Sequence, residues 1–367
     1  MTDVKKLMVP WLEGLKPYFS EHLEKAWEER SLIRMMSNEG PFPPQKKVLD
    51  ALIDGSKHAN RYPDSLKHIK KKIGEINFGT GPEWVILGNG STEVLDMIFR
   101  AFMQPGEELI QSTPCYGIYI QRAAIMGAKT ISILAKDNWE YDIDAIEKAI
   151  TQKTKIIILA NPNNPTGNLI DDSVYERLVK HNIIMICDEA YIEYSGLENS
   201  KVHLMKKYPN MIISRTLSKA YGLAGMRFGY ALGHPETIEI VSKTIMSWNI
   251  SIMSAFGAFA ALSDQEGLKE KARLTNQGRD YIESEIAKIE GLTVYHTHGN
   301  YILIDASPTG ATTEEIVGRV LEKHHIILRK VSPFKERKGL FRITIGNKEE
   351  NEKCVKAVKE FFANRKG

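Results

Sequence analysis

Lys155-Ile156-Ile157-Ile158-Leu159-Ala160-Asn161-Pro162-Asn163-Asn164-Pro165-Thr166-Gly167 opens as an apolar run and closes in a cluster of turn-forming residues. Three consecutive isoleucines without polar alternation suit a strand buried on both faces, as in a parallel sheet covered by helices. The Asn, Pro and Gly residues then break it, because Pro cannot donate to a ladder and Asn and Gly favour turns. The same pattern recurs on both sides: short apolar runs at residues 84–87, 108–111, 183–187, 211–214 and 228–232 alternate with longer helical spacing. That alternation predicts an α/β fold with a large, mostly parallel sheet flanked by helices.

Beyond about residue 250 the pattern changes. A long helical stretch at 263–289 precedes strand-like segments at 292–295, 301–305, 326–329 and 340–345 and a final helix. A smaller α+β domain is expected there. The first 30 residues have helix-favouring spacing and are expected to pack against that domain or a partner chain.

The chain has 367 residues, room for two domains. Its 43% hydrophobic and 26% charged residues are the balance of a globular protein with a sizeable core, which excludes disordered and collagen-like architectures. A net charge of +3 leaves no electrostatic footprint for a nucleic-acid or membrane partner, and none is expected. The densest basic run, Lys67, His68, Lys70, Lys71 and Lys72, reads as a solvated helix face. Cys115, Cys187 and Cys354 have no metal-ligand spacing and form no even disulfide set, as in a reducing compartment. Glu13 and Lys16 interrupt the N-terminal apolar stretch, so no signal-peptide core is read, and no apolar run approaches a membrane span. A soluble, cytoplasmic protein is expected.

In open α/β sheets, ligands bind beyond the carboxyl ends of strands. Four such places carry reactive side chains: Asn161 to Gly167; Asp188-Glu189-Ala190-Tyr191; Leu217-Ser218-Lys219; and Gly88-Asn89-Gly90-Ser91-Thr92-Glu93. The last is a Gly-rich turn opening a helix, where unpaired N–H groups and the helix dipole attract an anion such as phosphate. Glu93 stands where a dinucleotide fingerprint needs a third glycine, and the P-loop Lys-Ser/Thr is absent. The competing reading has Ser91 or Thr92 capping an ordinary helix.

Asp188 either caps the next turn or faces a cation, since a buried carboxylate is costly alone. Lys219 is either solvent-exposed or a desolvated Schiff-base nucleophile. Arg227 follows across a flexible Tyr-Gly-Leu-Ala-Gly-Met loop that can bring it to the same ligand. The inventory fits a cofactor with an aldehyde, a protonatable ring nitrogen, a phenolic oxygen and a phosphate. His296 with His298, and His324 with His325, lack a third ligand at suitable spacing, so no metal site is expected.

These motifs together resemble the pyridoxal-phosphate-dependent class I/II aminotransferases of fold type I, and within them the histidinol-phosphate aminotransferases. The likeness runs from Ser37 to Gly346 through Ser37-Asn38-Glu39-Gly40-Pro41-Phe42, Arg61-Tyr62-Pro63, Gly88 to Glu93, Pro114-Cys115-Tyr116-Gly117, Asn161 to Gly167, Asp188 to Tyr191, Leu217-Ser218-Lys219, Gly225-Met226-Arg227 and Arg342-Ile343-Thr344-Ile345-Gly346. The resemblance implies that Lys219 forms a Schiff base with pyridoxal 5'-phosphate and that Asp188 pairs with the ring nitrogen. It implies that Tyr191 and Asn164 meet the phenolic oxygen, that Tyr116 stacks on the ring, and that Arg227, Ser218, Thr216, Ser91 and Thr92 hold the phosphate. It implies a homodimer with shared active sites, Tyr62 reaching the phosphate from the neighbouring subunit. It further implies a large cofactor-binding domain at 47–250 and a small domain built from 1–46, with an N-terminal arm, and 251–367.

For the substrate, the resemblance places Arg342 at the anionic end of the amino donor, with Arg329 as a second phosphate-binding arginine beside Asn164. Histidinol phosphate as donor and an oxo acid, 2-oxoglutarate, as acceptor follow from it. Gly40 and Phe42 depart from the family's usual Asn-Glu-Asn-Pro-Tyr, and Phe42 would make the substrate pocket more apolar. An aromatic or broad-specificity aminotransferase is therefore an alternative, and a threonine-phosphate decarboxylase-like lyase a further one.

Overall fold

A computed structural model describes residues 2–17, 21–77 and 79–365. Its strands are β1 (Ile33–Met35), β2 (Val85–Gly88), β3 (Glu108–Thr113), β4 (Lys129–Leu134), β5 (Thr154–Ala160), β6 (Ile184–Asp188), β7 (Met211–Thr216), β8 (Gly229–Gly233), β9 (Thr293–Tyr295), β10 (Tyr301–Asp305), β11 (Ile326–Lys330) and β12 (Leu340–Thr344). They form a seven-stranded sheet of order β2-β8-β7-β6-β5-β3-β4 and a five-stranded sheet of order β1-β11-β12-β10-β9.

In the larger sheet β7, β6, β5, β3 and β4 are mutually parallel, and β8 runs against both β7 and β2. Its middle strands carry unbroken apolar runs because each face has its own core. Ile157, Leu159, Met185 and Ile213 pack into one cluster, and Ile156, Ile158, Ile186 and Ile212 into the other. Each fully buried isoleucine contributes about 1.5–3 kcal/mol of transfer free energy. In the smaller sheet β1 pairs parallel with β11 while the other pairings are antiparallel. A separate cluster containing Ile302, Ile304, Phe341 and Ile343 packs it against helices that include Thr313–His324 and Lys348–Ala363.

The long helical stretch expected at 263–289 is the helix Gln265–Ile286, preceded by a separate helix Ile252–Ser263; between them Asp264 accepts from the Gly267 N–H and caps the second. The N-terminal region divides. Ala26 of helix Glu21–Glu28 packs with Leu32, Met36 and Ile327 at the smaller sheet, whereas Trp11 donates from Nε1 to the Ile125 carbonyl beside the larger one. Among the described residues, no helix is long and apolar enough to cross a membrane, and no group of three His, Cys, Asp or Glu is placed to hold a metal ion.

Behind the ends of β6 and β7 lies a buried ion pair. Arg215 donates from Nε to Glu189 (3.0 Å), from Nη1 to Asn77 (2.7 Å) and from Nη2 to Ser200 (2.7 Å), and Ser200 in turn donates to Glu189. Glu189 is fully buried and Arg215 nearly so. Removing one partner strands the other charge in a low-dielectric interior, so Arg215→Met is expected to cost about 3–5 kcal/mol in chemical denaturation. A loss below about 1 kcal/mol would show that Glu189 finds another partner or water there.

Candidate active site

Strand polarity gathers the site. The parallel strands β5, β6 and β7 end together, with Asp188 in register beside Ala160 and Ser214. Because β8 runs the other way, it begins at that same edge, so Arg227, two residues before it, lies beside the residues that follow β7. Antiparallel to β8, β2 ends there too and feeds Gly88 into helix Ser91–Phe102. A cavity of about 740 Å³ opens at this edge, lined by Ser91, Thr92, Tyr116, Asn164, Asp188, Tyr191, Thr216, Ser218, Lys219, Arg227, Arg329 and Arg342.

One end of the cavity is an anion cradle. Helix Ser91–Phe102 has Gly90 at its N-cap and no side-chain cap, so its first N–H groups are left open; neither Ser91 nor Thr92 caps it. Gly90 has φ +81°, and a Cβ there would collide with the Arg227 guanidinium. Arg227 donates from Nη1 to Ser218 (3.3 Å) and to the Ala224 carbonyl (3.0 Å). Thr216 donates to Ser218 Oγ (3.0 Å) and accepts from the Ser218 N–H (3.1 Å). Cation, hydroxyls and helix N-terminus thus converge, the chemistry of a phosphate site, while the one acid of the helix's first turn, Glu93, is engaged by the Asn89 N–H and by Asn249.

At the centre, Asp188 accepts from the Tyr119 hydroxyl through Oδ2 (2.6 Å), while its buried Oδ1 has no partner. Burial pushes the carboxyl up to about 6, with the Tyr119 hydrogen bond the strongest opposing influence. Lys219 is partly buried and donates from Nζ to the Ser37 carbonyl (2.9 Å). Burial, reinforced by the Arg342 and Arg227 charges, lowers its amine to about 8. The Tyr191 hydroxyl accepts from Asn38 (3.0 Å) and from Asn164 (3.4 Å), and burial raises its pKa.

The far wall is cationic. Arg342 on β12 lies directly opposite Arg329 on β11. Arg342 donates to Asn164 and to the Met36 carbonyl and sits over the Tyr301 ring. Among the described residues, no salt bridge pairs either arginine with an acid. Burial lowers Arg342 to about 10, and the neighbouring Arg329 adds to that shift. Like charges opposed across strands are unfavourable unless an anion joins them.

Of the expected residues, Phe42 lies elsewhere, and Tyr62, expected at the neighbouring subunit's site, stands on the surface of its own chain. Phe42 does not line this cavity but a smaller one of about 430 Å³, together with Arg34, Gly40 and Gly222. Tyr62 is 74% exposed and stacks on Trp248 at 4.4 Å. The structure explains the other departure in that segment: a Cβ on Gly40 would come within 2.8 Å of the Lys219 carbonyl oxygen. Sequence reasoning missed Asn38, held by Thr344, and Tyr119. Asn38 stands inside a quoted motif, and Tyr119 lies one helical turn after Tyr116, the only signals that pointed to them.

Residues 30–358 match the profile of the aminotransferase class I and II family. The chain belongs to the class I and II aminotransferases. Histidinol-phosphate aminotransferase 1 of Idiomarina loihiensis is 33% identical over 365 residues, 97% of each chain. The histidinol-phosphate aminotransferase of Methanosphaera stadtmanae is 33% identical over 342 residues, 92% of each. Among solved structures, histidinol-phosphate aminotransferase from Sinorhizobium meliloti in complex with pyridoxal-5'-phosphate superposes with a TM-score of 0.85 at 26% identity, covering 97% of this chain and 98% of that one. The fold is thus that of a pyridoxal-phosphate aminotransferase, and the site fits the cofactor. The unpartnered Asp188 Oδ1 suits a ring N–H, and the uncapped helix with Arg227 suits its phosphate.

The Asp188 carboxylate is held at a cost. Burial holds its folded pKa at about 6, above the ordinary aspartate range, so the native state binds the extra proton between about pH 4 and 6, and stability falls as pH rises through that window. Asp188→Asn in the cofactor-free protein should therefore gain stability relative to the parent across the same window, by up to about 3 kcal/mol. Urea titrations at pH 4 and pH 7 measure it; a difference that does not change with pH would refute the shift.

Proposed function

We propose that this aminotransferase takes histidinol phosphate as amino donor and 2-oxoglutarate as acceptor, working through Lys219. The observation that carries the substrate reading is the opposed Arg329–Arg342 pair, which has no acidic partner among the described residues and faces the cavity that also holds Lys219. Two cationic forks suit a doubly charged phosphate end better than a single carboxylate. The names of the relatives point the same way.

Bound here, pyridoxal phosphate supplies an aldehyde for the donor amine and a protonated ring that accepts the electron pair left when the donor Cα loses its proton. Asp188 would hold the ring-nitrogen proton through Oδ1. Tyr191 and Asn164 would face the phenolic oxygen, and Tyr116 the ring. Arg227, Ser218, Thr216 and the N–H groups of Ser91 and Thr92 would anchor the phosphate. An amine lowered to about 8 gives Lys219 a sizeable neutral fraction near pH 7–8, and as a base it would take the Cα proton at Nζ and return it. Confinement to one cavity gives that transfer its high effective concentration.

The same reading includes a homodimer that shares its sites. Supporting it, Leu49 and Ile53 of helix Lys46–Ser56 and Met253 and Phe259 of the packed helix Ile252–Ser263 are exposed, as are Met246, Trp248 and Tyr62. Exposed apolar side chains on two helices packed together suit an interface with a second copy of the chain. A cofactor-binding block at 47–250, a smaller domain from 1–46 and 251–367, and a cytoplasmic location complete the proposal. The sheet membership of β1 and the three free thiols, Cys115, Cys187 and Cys354, are its support.

Half-transamination with histidinol phosphate, glutamate, aspartate, tyrosine and phenylalanine tests the substrate. Histidinol phosphate should convert the cofactor fastest, and equal rates with phenylalanine would refute the assignment. Arg329→Ala should raise KM for the phosphorylated donor roughly ten-fold or more while leaving an unphosphorylated donor little changed. Equal losses on both would make Arg329 structural.

A further inference from the structure

We infer that Tyr119 is a positioning residue whose hydroxyl, bonded to Asp188 Oδ2, fixes the carboxylate so that Oδ1 alone is presented to the cofactor ring and keeps the shared proton on the ring nitrogen. The inference rests on the pyridoxal-phosphate reading of the site.

The geometry is specific. Tyr119 belongs to helix Ile118–Ile125, is 1% exposed, and reaches 69 residues along the chain to a short 2.6 Å contact with Asp188. Its phenol is pushed well above its ordinary range by burial and by Asp188, so it is a permanent donor. Oδ1, on the same carboxylate, is buried and unpartnered. One oxygen is therefore committed and the other free, and the group cannot rotate to exchange them without breaking a charge-assisted bond in a water-poor interior. Tyr119 also meets the Tyr116 ring edge-on at 5.7 Å, so its ring braces a second wall of the cavity.

The consequence for the proton follows from charge. A donor on Oδ2 withdraws electron density and makes Asp188 a weaker base, so a proton placed between Oδ1 and a pyridine nitrogen rests on the nitrogen. Without that donor the proton shifts toward the carboxylate, the ring loses its positive charge and stores an electron pair less well. The other charged groups facing Asp188 are Glu189 and Lys219, and those facing Lys219 are Arg342, Glu39 and Arg227; all stay in place when the Tyr119 oxygen alone is removed.

Tyr119→Phe is the test, because it keeps the ring against Tyr116 and deletes only the donor. In the holoenzyme, the pH midpoint of the visible band of the lysine-bound cofactor should rise by about one unit, a loss of ring charge equivalent to a ten-fold change. The kcat should fall roughly ten-fold with KM little altered, and thermal stability should stay near that of the parent. In an Asp188→Asn background the same substitution should move neither the midpoint nor kcat further, since Tyr119 acts only through that carboxylate. A parental titration curve in Tyr119→Phe, or an equal shift with and without Asp188, would overturn the inference while leaving the cofactor assignment intact. A parent protein that gains no visible band with pyridoxal phosphate would overturn both.

Discussion

Asp188 and Lys219 carry opposite charges at the ends of neighbouring strands, and burial opposes the ionised form of each. The rest of the site is arranged around that unfavourable placement. Tyr119 offsets part of it by donating to the carboxylate, and the Ser37 carbonyl does so by accepting from the amine. What remains is a buried carboxylate oxygen with no partner and a lysine pushed toward neutrality. Both are liabilities for a protein without a ligand. Both are assets once a protonated ring and an aldehyde enter, because binding then relieves the cost that folding leaves standing.

The sheet makes this possible through its single reversed strand. If β8 ran parallel to β7, Arg227 would precede it at the opposite edge and the phosphate cradle would lack its cation. Running antiparallel, β8 returns the chain to the edge where β2, β5, β6 and β7 end. The Arg215–Glu189 pair stiffens that edge from behind, and the smaller sheet supplies Arg329 and Arg342 from across the cavity. The result is a polar site on well-packed strands, with its glycines where the backbone must approach closely, as at Gly90 and Gly40.

Much of this was legible in the chain because burial on two faces leaves unbroken apolar runs, and β2, β3, β5, β6, β7 and β8 each coincide with one. The edge strand β4 escaped notice because Lys129 to Leu134 is half exposed and carries polar residues among its isoleucines. With three residues, β1 is too short for any periodicity. Side chains placed directly after strands, such as Asn164, Asp188 and Lys219, could be named from sequence. Tyr119 and Asn38 could not, since their partners lie 69 and 153 residues away and only the fold joins them. Phe42 illustrates the converse: it follows Gly40 in a recognisable segment, but the turn packed on Lys219 carries it into a different cavity.

The central claim is that the buried amine of Lys219 is the group that receives the cofactor. Borohydride reduction of the protein loaded with pyridoxal phosphate, followed by peptide mapping, tests it most directly. Imine formation favours an amine with a sizeable neutral fraction at working pH, and Lys219 combines that with a place in the cavity that Asp188 and the anion cradle also line. The reduced phosphopyridoxyl group should therefore be found on the peptide that carries Lys219, at about one per chain. Its appearance on an exposed lysine instead, with Lys219 unmodified, would contradict the account.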